Sequence, residues 1–262
     1  MSALEFQGIE VTFGSGSDRV RAVGGVDLYV PDGEIVGLVG ESGSGKSTLA
    51  KAAVGLVEPD NGRILLDDVD LVRARGEALR HRRRVQMVFQ DPSSCLDPRM
   101  RIGRSIEEAL VSRSRRDRER STRDSRRGEV DSLLQDVGLR TAFADRLPHQ
   151  LSGGQRQRVA IARALAAGPS VMLADEITSA LDVSVQGAVL NLLRELQREL
   201  GLTVLFVSHN LAVVKHVCDR VAVMHQGIVV EQGPVDEVLE RPDHHYVRDL
   251  LAAVPQIGVP LW

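Results

Sequence analysis

The chain has 262 residues and 43% apolar content, enough for one large domain with a proper core. Lys and Arg number 33 against 36 Asp and Glu, a net charge of −3, and aromatics make up 3%, so neither a basic field nor base stacking argues for nucleic acid. Cys95 and Cys218 form no CxxC pair, and there is neither a run of about 18 apolar residues nor a charged-then-apolar leader; the expectation is a soluble cytosolic protein without disulfides, zinc or membrane spans.

Leu4 to Phe13 alternates loosely between apolar and polar residues, as an edge strand does. A Gly/Ser turn over 14–18 leads to a strand expected around Val26 to Val30, and Pro31-Asp32-Gly33 turns the chain again. Glu34 to Val39 reads as a short apolar strand. It runs into Gly40-Glu41-Ser42-Gly43-Ser44-Gly45-Lys46-Ser47-Thr48, which has the Gly-x4-Gly-Lys-Ser/Thr spacing of a phosphate-binding loop, and a helix is expected over Ser47 to Leu56. The bland alternative, a Gly-rich turn with a surface lysine, does not account for a strand on one side and a helix on the other. In such a loop the glycines let successive N–H groups converge on an anion, Lys46 adds a point charge, and the Ser47 hydroxyl can ligate Mg²⁺. The sequence therefore predicts a nucleoside triphosphate site.

Glu58 to Gly62 turns the chain into a strand at Arg63 to Leu66, so the opening part mixes antiparallel strands with one strand–loop–helix unit. Val85 to Phe89 reads as a buried strand ending at Gln90, broken by Asp91-Pro92. The following segment to Met100 is expected to be an exposed loop presenting Pro92, Leu96, Pro98 and Met100. Ile102 to Val111 and Val130 to Val137 have helical spacing. Between them, the arginine–serine run Arg113 to Arg127 reads as a solvated, partly disordered loop or exposed helix without assigned function, with contact to anionic lipid or nucleic acid as the rival reading. Ser152 and Gln155 fit a capping box at the start of a helix over Arg156 to Ala167. Val171 to Ala174 is a strand ending in Asp175-Glu176, and a long helix follows through Leu200, with Gly201 in its C-terminal cap position. Thr203 to Val207 is a strand ending at Ser208-His209. A helix, strands at Val221 to Met224 and Ile228 to Glu231, and two helices close the chain. Strands alternating with helices mean a parallel sheet with ligands at the strand C-termini.

Three strands thus end in polar residues where phosphates should sit. Asp175 can hold Mg²⁺ directly or through water, and Glu176 can act as general base on a water attacking the γ-phosphate. An acidic pair after a strand is commonly a helix N-cap, but a phosphate loop in the same chain favours chemistry. A lone histidine is commonly a cap or core residue; His209, at the end of the next strand, could reach the γ-phosphate or position Glu176 and its water.

Together these residues resemble the nucleotide-binding subunit of an ATP-binding-cassette (ABC) transporter, with matches through nearly the whole chain. They are the phosphate loop Gly40 to Thr48, the Q-loop Gln90, the signature Leu151-Ser152-Gly153-Gly154-Gln155, the Walker B run Val171 to Glu176, the D-loop Ser179-Ala180-Leu181-Asp182 and the switch His209. Phe13 falls where the family places the aromatic that stacks on adenine. The signature discriminates, because other phosphate-loop ATPases lack it. The segment Val85 to Met100 and the tail Glu231 to Pro255, notably His244-His245-Tyr246, resemble the oligopeptide/dipeptide/nickel importer branch. Two departures stand out. Ile177 replaces the usual proline after the catalytic glutamate, which changes local rigidity. The given sequence also stops soon after Pro255, without the cysteine-bearing extension of many peptide-importing relatives; on that basis no iron–sulfur site is expected and the expectation leans towards nickel-type relatives.

The resemblance implies an α/β phosphate-loop ATPase core, mainly parallel sheet, with an N-terminal antiparallel β subdomain, over about 1–90 and 165–262. A helical subdomain would span about 91–164. It implies catalytic roles for Glu176, His209 and Gln90, and Mg²⁺ ligation by Ser47, Gln90 and Asp175. ATP would contact Phe13, Gly40, Glu41, Ser42, Gly43, Ser44, Gly45, Lys46, Ser47 and Thr48, with Ser152, Gly153, Gly154, Gln155 and Asp182 reaching it from across a dimer. The resemblance also implies that the chain sits peripherally at the cytoplasmic face of the inner membrane, with two transmembrane permeases, an extracytoplasmic substrate-binding protein and a second cassette, expected to be a different one, as partners, and no nucleic acid. A soluble ABC ATPase of DNA repair or translation is the alternative; repair types insert long coiled coils and translation types fuse two cassettes, and this chain shows neither. A GTPase or small-molecule kinase would leave the signature unexplained.

Overall fold

In the computed structural model, which describes residues 2–119 and 121–253, β1 (Leu4–Phe13) pairs antiparallel with β2 (Val20–Val30). β3 (Ile35–Val39) then leaves this sheet, and α1 (Lys46–Ala53) follows the loop after it. β4 (Asn61–Leu66) returns to the other side of β1, and the short β5 (Val69–Asp70) pairs beside it, giving the order β2-β1-β4-β5. β2 begins well before the expected Val26, because its first residues find partners in Phe13, Thr12 and Val11 of β1.

After α2 (Gly76–Arg82), β6 (Val85–Val88) enters the second sheet at its edge. α3 (Ile102–Asp117), α4 (Arg123–Asp136) and α5 (Gly153–Ala166) come next, then β7 (Val171–Asp175), α6 (Val183–Leu200) and β8 (Thr203–Ser208). α7 (Leu211–Val217), β9 (Arg220–His225), β10 (Ile228–Pro234), α8 (Val235–Glu240) and α9 (His245–Ala252) complete the described chain. The sheet order is β10-β9-β3-β8-β7-β6, with β9, β3, β8, β7 and β6 parallel and only β10 antiparallel. Val39 stands opposite Ser208, Val207 opposite Asp175 and Ala174 opposite Val88, so these strands finish almost level.

The pleat sends alternate side chains into two cores. Val36, Leu38, Val171, Leu173, Leu205 and Val207 pack towards α1 and the antiparallel sheet. Ile35, Val39, Met172, Ala174, Val204 and Phe206 pack on the opposite side, with α5, α6 and α7. Buried Ile102, Ile106, Leu110, Val130 and Leu134 extend this second core between α3, α4 and α5.

One loop expectation is corrected, and of the two forms expected for the arginine run the helical one is found. Pro92 is buried and Leu96 is 3% exposed, because the segment folds under α5, where Arg163 donates to the Cys95 carbonyl; only Pro98 and the half-buried Met100 remain towards solvent. The arginine run is helical on both sides of residue 120, which lies outside the described residues. It is not wholly solvated: the Arg116 side chain is 8% exposed and donates to the Ala167 carbonyl at 2.8 Å, and Arg113 pairs with Glu129.

Candidate active site

The loop after β3 needs glycine at two points for different reasons. Gly40 has φ +153° and a Cβ there would lie 2.0 Å from the Met224 carbonyl oxygen; Gly45 has φ +103° and its Cβ would lie 2.2 Å from that of Ala22. The chain thus passes against neighbouring backbone and enters α1 at Lys46, and the N-terminus of a helix following such a loop is suited to an anion. Lys46, 5% exposed, donates to the carbonyls of Gly40 (2.9 Å) and Glu41 (2.6 Å) and to Ser44 Oγ (3.3 Å). Burial lowers its pKa, opposed by the charges of Glu176, Asp175 and Glu41.

Strand alternation decides what faces the loop. Asp175 shares the α1 side of β7 with Val171 and Leu173, and its Oδ1 accepts from Ser47 Oγ at 2.9 Å. Burial raises the Asp175 pKa, against the lowering effect of the Ser47 hydrogen bond. Glu176 breaks the alternation with φ +48°, which turns it off the strand, and its Oε1 meets His209 Nδ1 at 3.1 Å. Ile177 is 1% exposed within the core, so apolar packing fixes the residue after Glu176 where the family uses a proline ring. Gln90 Nε2 donates to Ser179 Oγ at 3.0 Å, and Ser179 Oγ donates to the Glu176 carbonyl at 2.9 Å. Ser179 is thereby a link that the sequence placed only as the start of the D-loop.

Lys46, Ser47, Asp175, Glu176, His209 and Gln90 therefore meet at one sheet edge, with Gly40 to Thr48 as its floor. Ser47 and Asp175 offer one hydroxyl and one carboxylate, a donor set that fits Mg²⁺ completed by phosphate and water oxygens. Among the described residues no cluster of three or more His, Cys, Asp or Glu could enclose a metal by protein ligands alone.

The signature stands apart. Ser152 Oγ accepts from the Gln155 N–H at 3.3 Å while Gln155 Oε1 accepts from the Ser152 N–H at 3.0 Å, the expected capping box. Ser152 is exposed, Gly153 and Gln155 are half-buried, and Gly154 is buried because its Cβ position lies 2.4 Å from Val185 Cγ1. Among the described residues no hydrogen bond joins this helix start to the phosphate loop. Asp182, at the N-cap position of α6, is exposed, and its side chain makes no capping bond. Phe13, at the end of β1, is 47% exposed. Val254 and Pro255 and the chain beyond them lie outside the described residues.

The chain matches the ABC transporter family over residues 23–179. It is 46% identical over 248 residues to the probable D,D-dipeptide transport ATP-binding protein DdpF of Escherichia coli, covering 95% of this chain and 75% of that one. It is 49% identical over 238 residues to the glutathione import ATP-binding protein GsiA of Pectobacterium atrosepticum, covering 90% of this chain and 37% of the relative. The dimeric post-hydrolysis structure of the ATP-binding cassette MJ0796 with ADP and Pi superposes with a TM-score of 0.77 at 31% identity, over 88% of this chain and 98% of that one.

Proposed function

The chain belongs to the ABC transporter family, and from that premise we propose that it hydrolyses ATP to drive uptake of short peptides through separate permeases. The observation that carries the chemistry is the pair Glu176–His209, 3.1 Å apart beside the phosphate loop. With Oε1 held by His209, Glu176 Oε2 is left to take a proton from a water in line with the γ-phosphate. Lys46 and the loop amides hold the phosphates, Gln90 and Ser179 brace the Glu176 backbone, and Ser47, Asp175 and Gln90 would hold Mg²⁺, which when bound neutralises phosphate charge.

The exposed start of α5 supplies the other half of a site. The first-turn N–H groups of Gly153 and Gly154 and a positive dipole end suit the γ-phosphate of ATP on a second cassette, with Asp182 and Gln155 beside it and Phe13 stacking on adenine in its own subunit. ATP then closes the dimer, and loss of the shared anion reopens it. The second cassette is a different chain in the native complex, although two copies of this one contain every part of two sites.

Residues 91–164 form the helical subdomain that carries the signature. Since Pro92 and Leu96 are buried, docking falls to the neighbouring cleft of about 410 Å³, where Met87, Phe89 and Ala109 meet Arg83, Arg113 and Arg163. A permease segment with apolar and acidic side chains fits it. Among the described residues no helix is long and apolar enough to cross a membrane, so these permeases would hold the chain at the cytoplasmic face of the membrane. An extracytoplasmic binding protein would select the cargo. Peptide cargo is favoured over nickel because the names of the two sequence relatives specify a dipeptide and glutathione. The test is uptake of labelled di- and tripeptides and of nickel by proteoliposomes holding the whole complex. ATP-dependent peptide uptake, lost with Glu176→Gln, is expected; nickel uptake alone overturns the cargo.

A further inference from the structure

The peptide unit joining Gly40 to Glu41 is held at both ends. Its carbonyl oxygen accepts from Lys46 Nζ at 2.9 Å, and its N–H donates to the Tyr246 hydroxyl oxygen at 3.3 Å. In a planar trans peptide these two groups point opposite ways, so fixing the N–H fixes the carbonyl. Gly40, at φ +153°, has no side chain to resist rotation of that plane, so the restraint must come from elsewhere.

Tyr246 is built to supply it. It is 7% exposed, and its ring lies 3.8 Å, centroid to centroid, from His225 at the end of β9, the strand beside β3. Its helix, α9, is fastened at the N-terminus: the Glu231 carboxylate accepts the N–H groups of Asp243 (3.0 Å) and His244 (2.9 Å), and His244 Nδ1 accepts that of Tyr246 (3.2 Å). Burial raises the phenol's pKa, against the lowering effect of the Glu41 N–H bond.

We propose that Tyr246 is a positioning residue of the nucleotide site, orienting through the Gly40–Glu41 peptide the carbonyl that holds Lys46. The C-terminal helix thereby sets the affinity of the phosphate loop. This rests on the ATP-binding reading above. Without the phenol the peptide rotates about Gly40, the lysine loses a fixed partner, and the loop must be ordered by the nucleotide itself.

The test compares the full-length chain with Tyr246→Phe and Tyr246→Ala. Each is titrated with ATP, assayed for KM and kcat, and heated without nucleotide. Phenylalanine keeps the ring against His225 and removes only the hydroxyl. It should unfold within about 2–4 °C of the wild type yet bind ATP about threefold to tenfold more weakly, the effect of one hydrogen bond, with KM raised and kcat unchanged. Alanine should weaken binding and also lower the unfolding temperature, because it leaves a cavity. A Tyr246→Phe chain with wild-type ATP affinity overturns the proposal and leaves the tyrosine a packing residue. A wild-type chain that binds no ATP in the same titration would instead overturn the reading of the site.

Discussion

At the C-terminal edge of the parallel sheet, Lys46 makes three hydrogen bonds, Ser47 is bonded to Asp175, and Glu176 is bonded to His209. At the start of α5, the capping box satisfies only its own helix, and Ser152 is left exposed. The first region is organised by strands that finish level; the second is carried on a helix packed against α3 and α4. The contrast teaches a division of labour. Around the phosphate loop, buried Lys46 and Asp175 anchor a set of side chains cross-braced by hydrogen bonds, while at the start of α5 Ser152 stays open.

The largest effects should come from breaking the braced region. Glu176→Gln should lower ATP turnover by about 10²–10⁴-fold while ATP affinity stays, measured by phosphate release and equilibrium binding. Lys46→Ala should instead abolish binding. Near-wild-type turnover in Glu176→Gln would remove Glu176 from the chemistry.

Breaking the open region should give a different phenotype. Gly153 has space for a side chain, its Cβ position being 3.4 Å from Leu181 Cδ2, so Gly153→Asp should fold. On the shared-site proposal, it places an anion beside the γ-phosphate of the facing cassette. Turnover of the assembled complex should fall by about 10²-fold, the scale of a lost electrostatic stabiliser, while ATP binding by the separate chain is unchanged. Weakened binding in the separate chain would show that the two regions are not independent.

The smallest effect concerns stability. Asp175 has its pKa raised by burial, so its ionised form is disfavoured in the folded chain. A raised folded pKa means stability that is present at low pH and lost as pH rises through that pKa. Asp175→Asn keeps an acceptor for Ser47 and removes the charge. The nucleotide-free chain should therefore melt higher at neutral pH, by roughly 2–4 °C for each kcal/mol regained, and the gain should vanish in acid; calorimetry across pH measures it. A gain that persists in acid would contradict the charge as its cause.

What the sequence showed and what it hid divide along similar lines. The phosphate loop and the capping box were legible because spacing alone defines them, and Gly201 was legible as a cap because a left-handed φ of 61° closes α6 there. α2 was not, since Gly76–Arg82 buries no residue and so leaves no apolar period. The early start of β2 depends on pairing with β1 rather than on its own pattern. Burial of Pro92 and Leu96 depends on α5 covering a distant loop. The Tyr246 contact joins positions 205 residues apart, which no local signal announces.

The central claim is that a complete site forms only between two cassettes. Ser42, exposed on the phosphate loop, and Ser152, exposed at the start of α5, would lie on opposite sides of that junction. Both are changed to cysteine in one Glu176→Gln chain whose half-buried Cys95 is replaced by serine, and the chain is oxidised with ATP, with ADP or without nucleotide. The expected product is a disulfide-linked species of twice the chain mass that forms with ATP and scarcely with ADP. A bridge within a single chain, or a bridge between chains that forms equally with ADP or without nucleotide, would contradict the shared site.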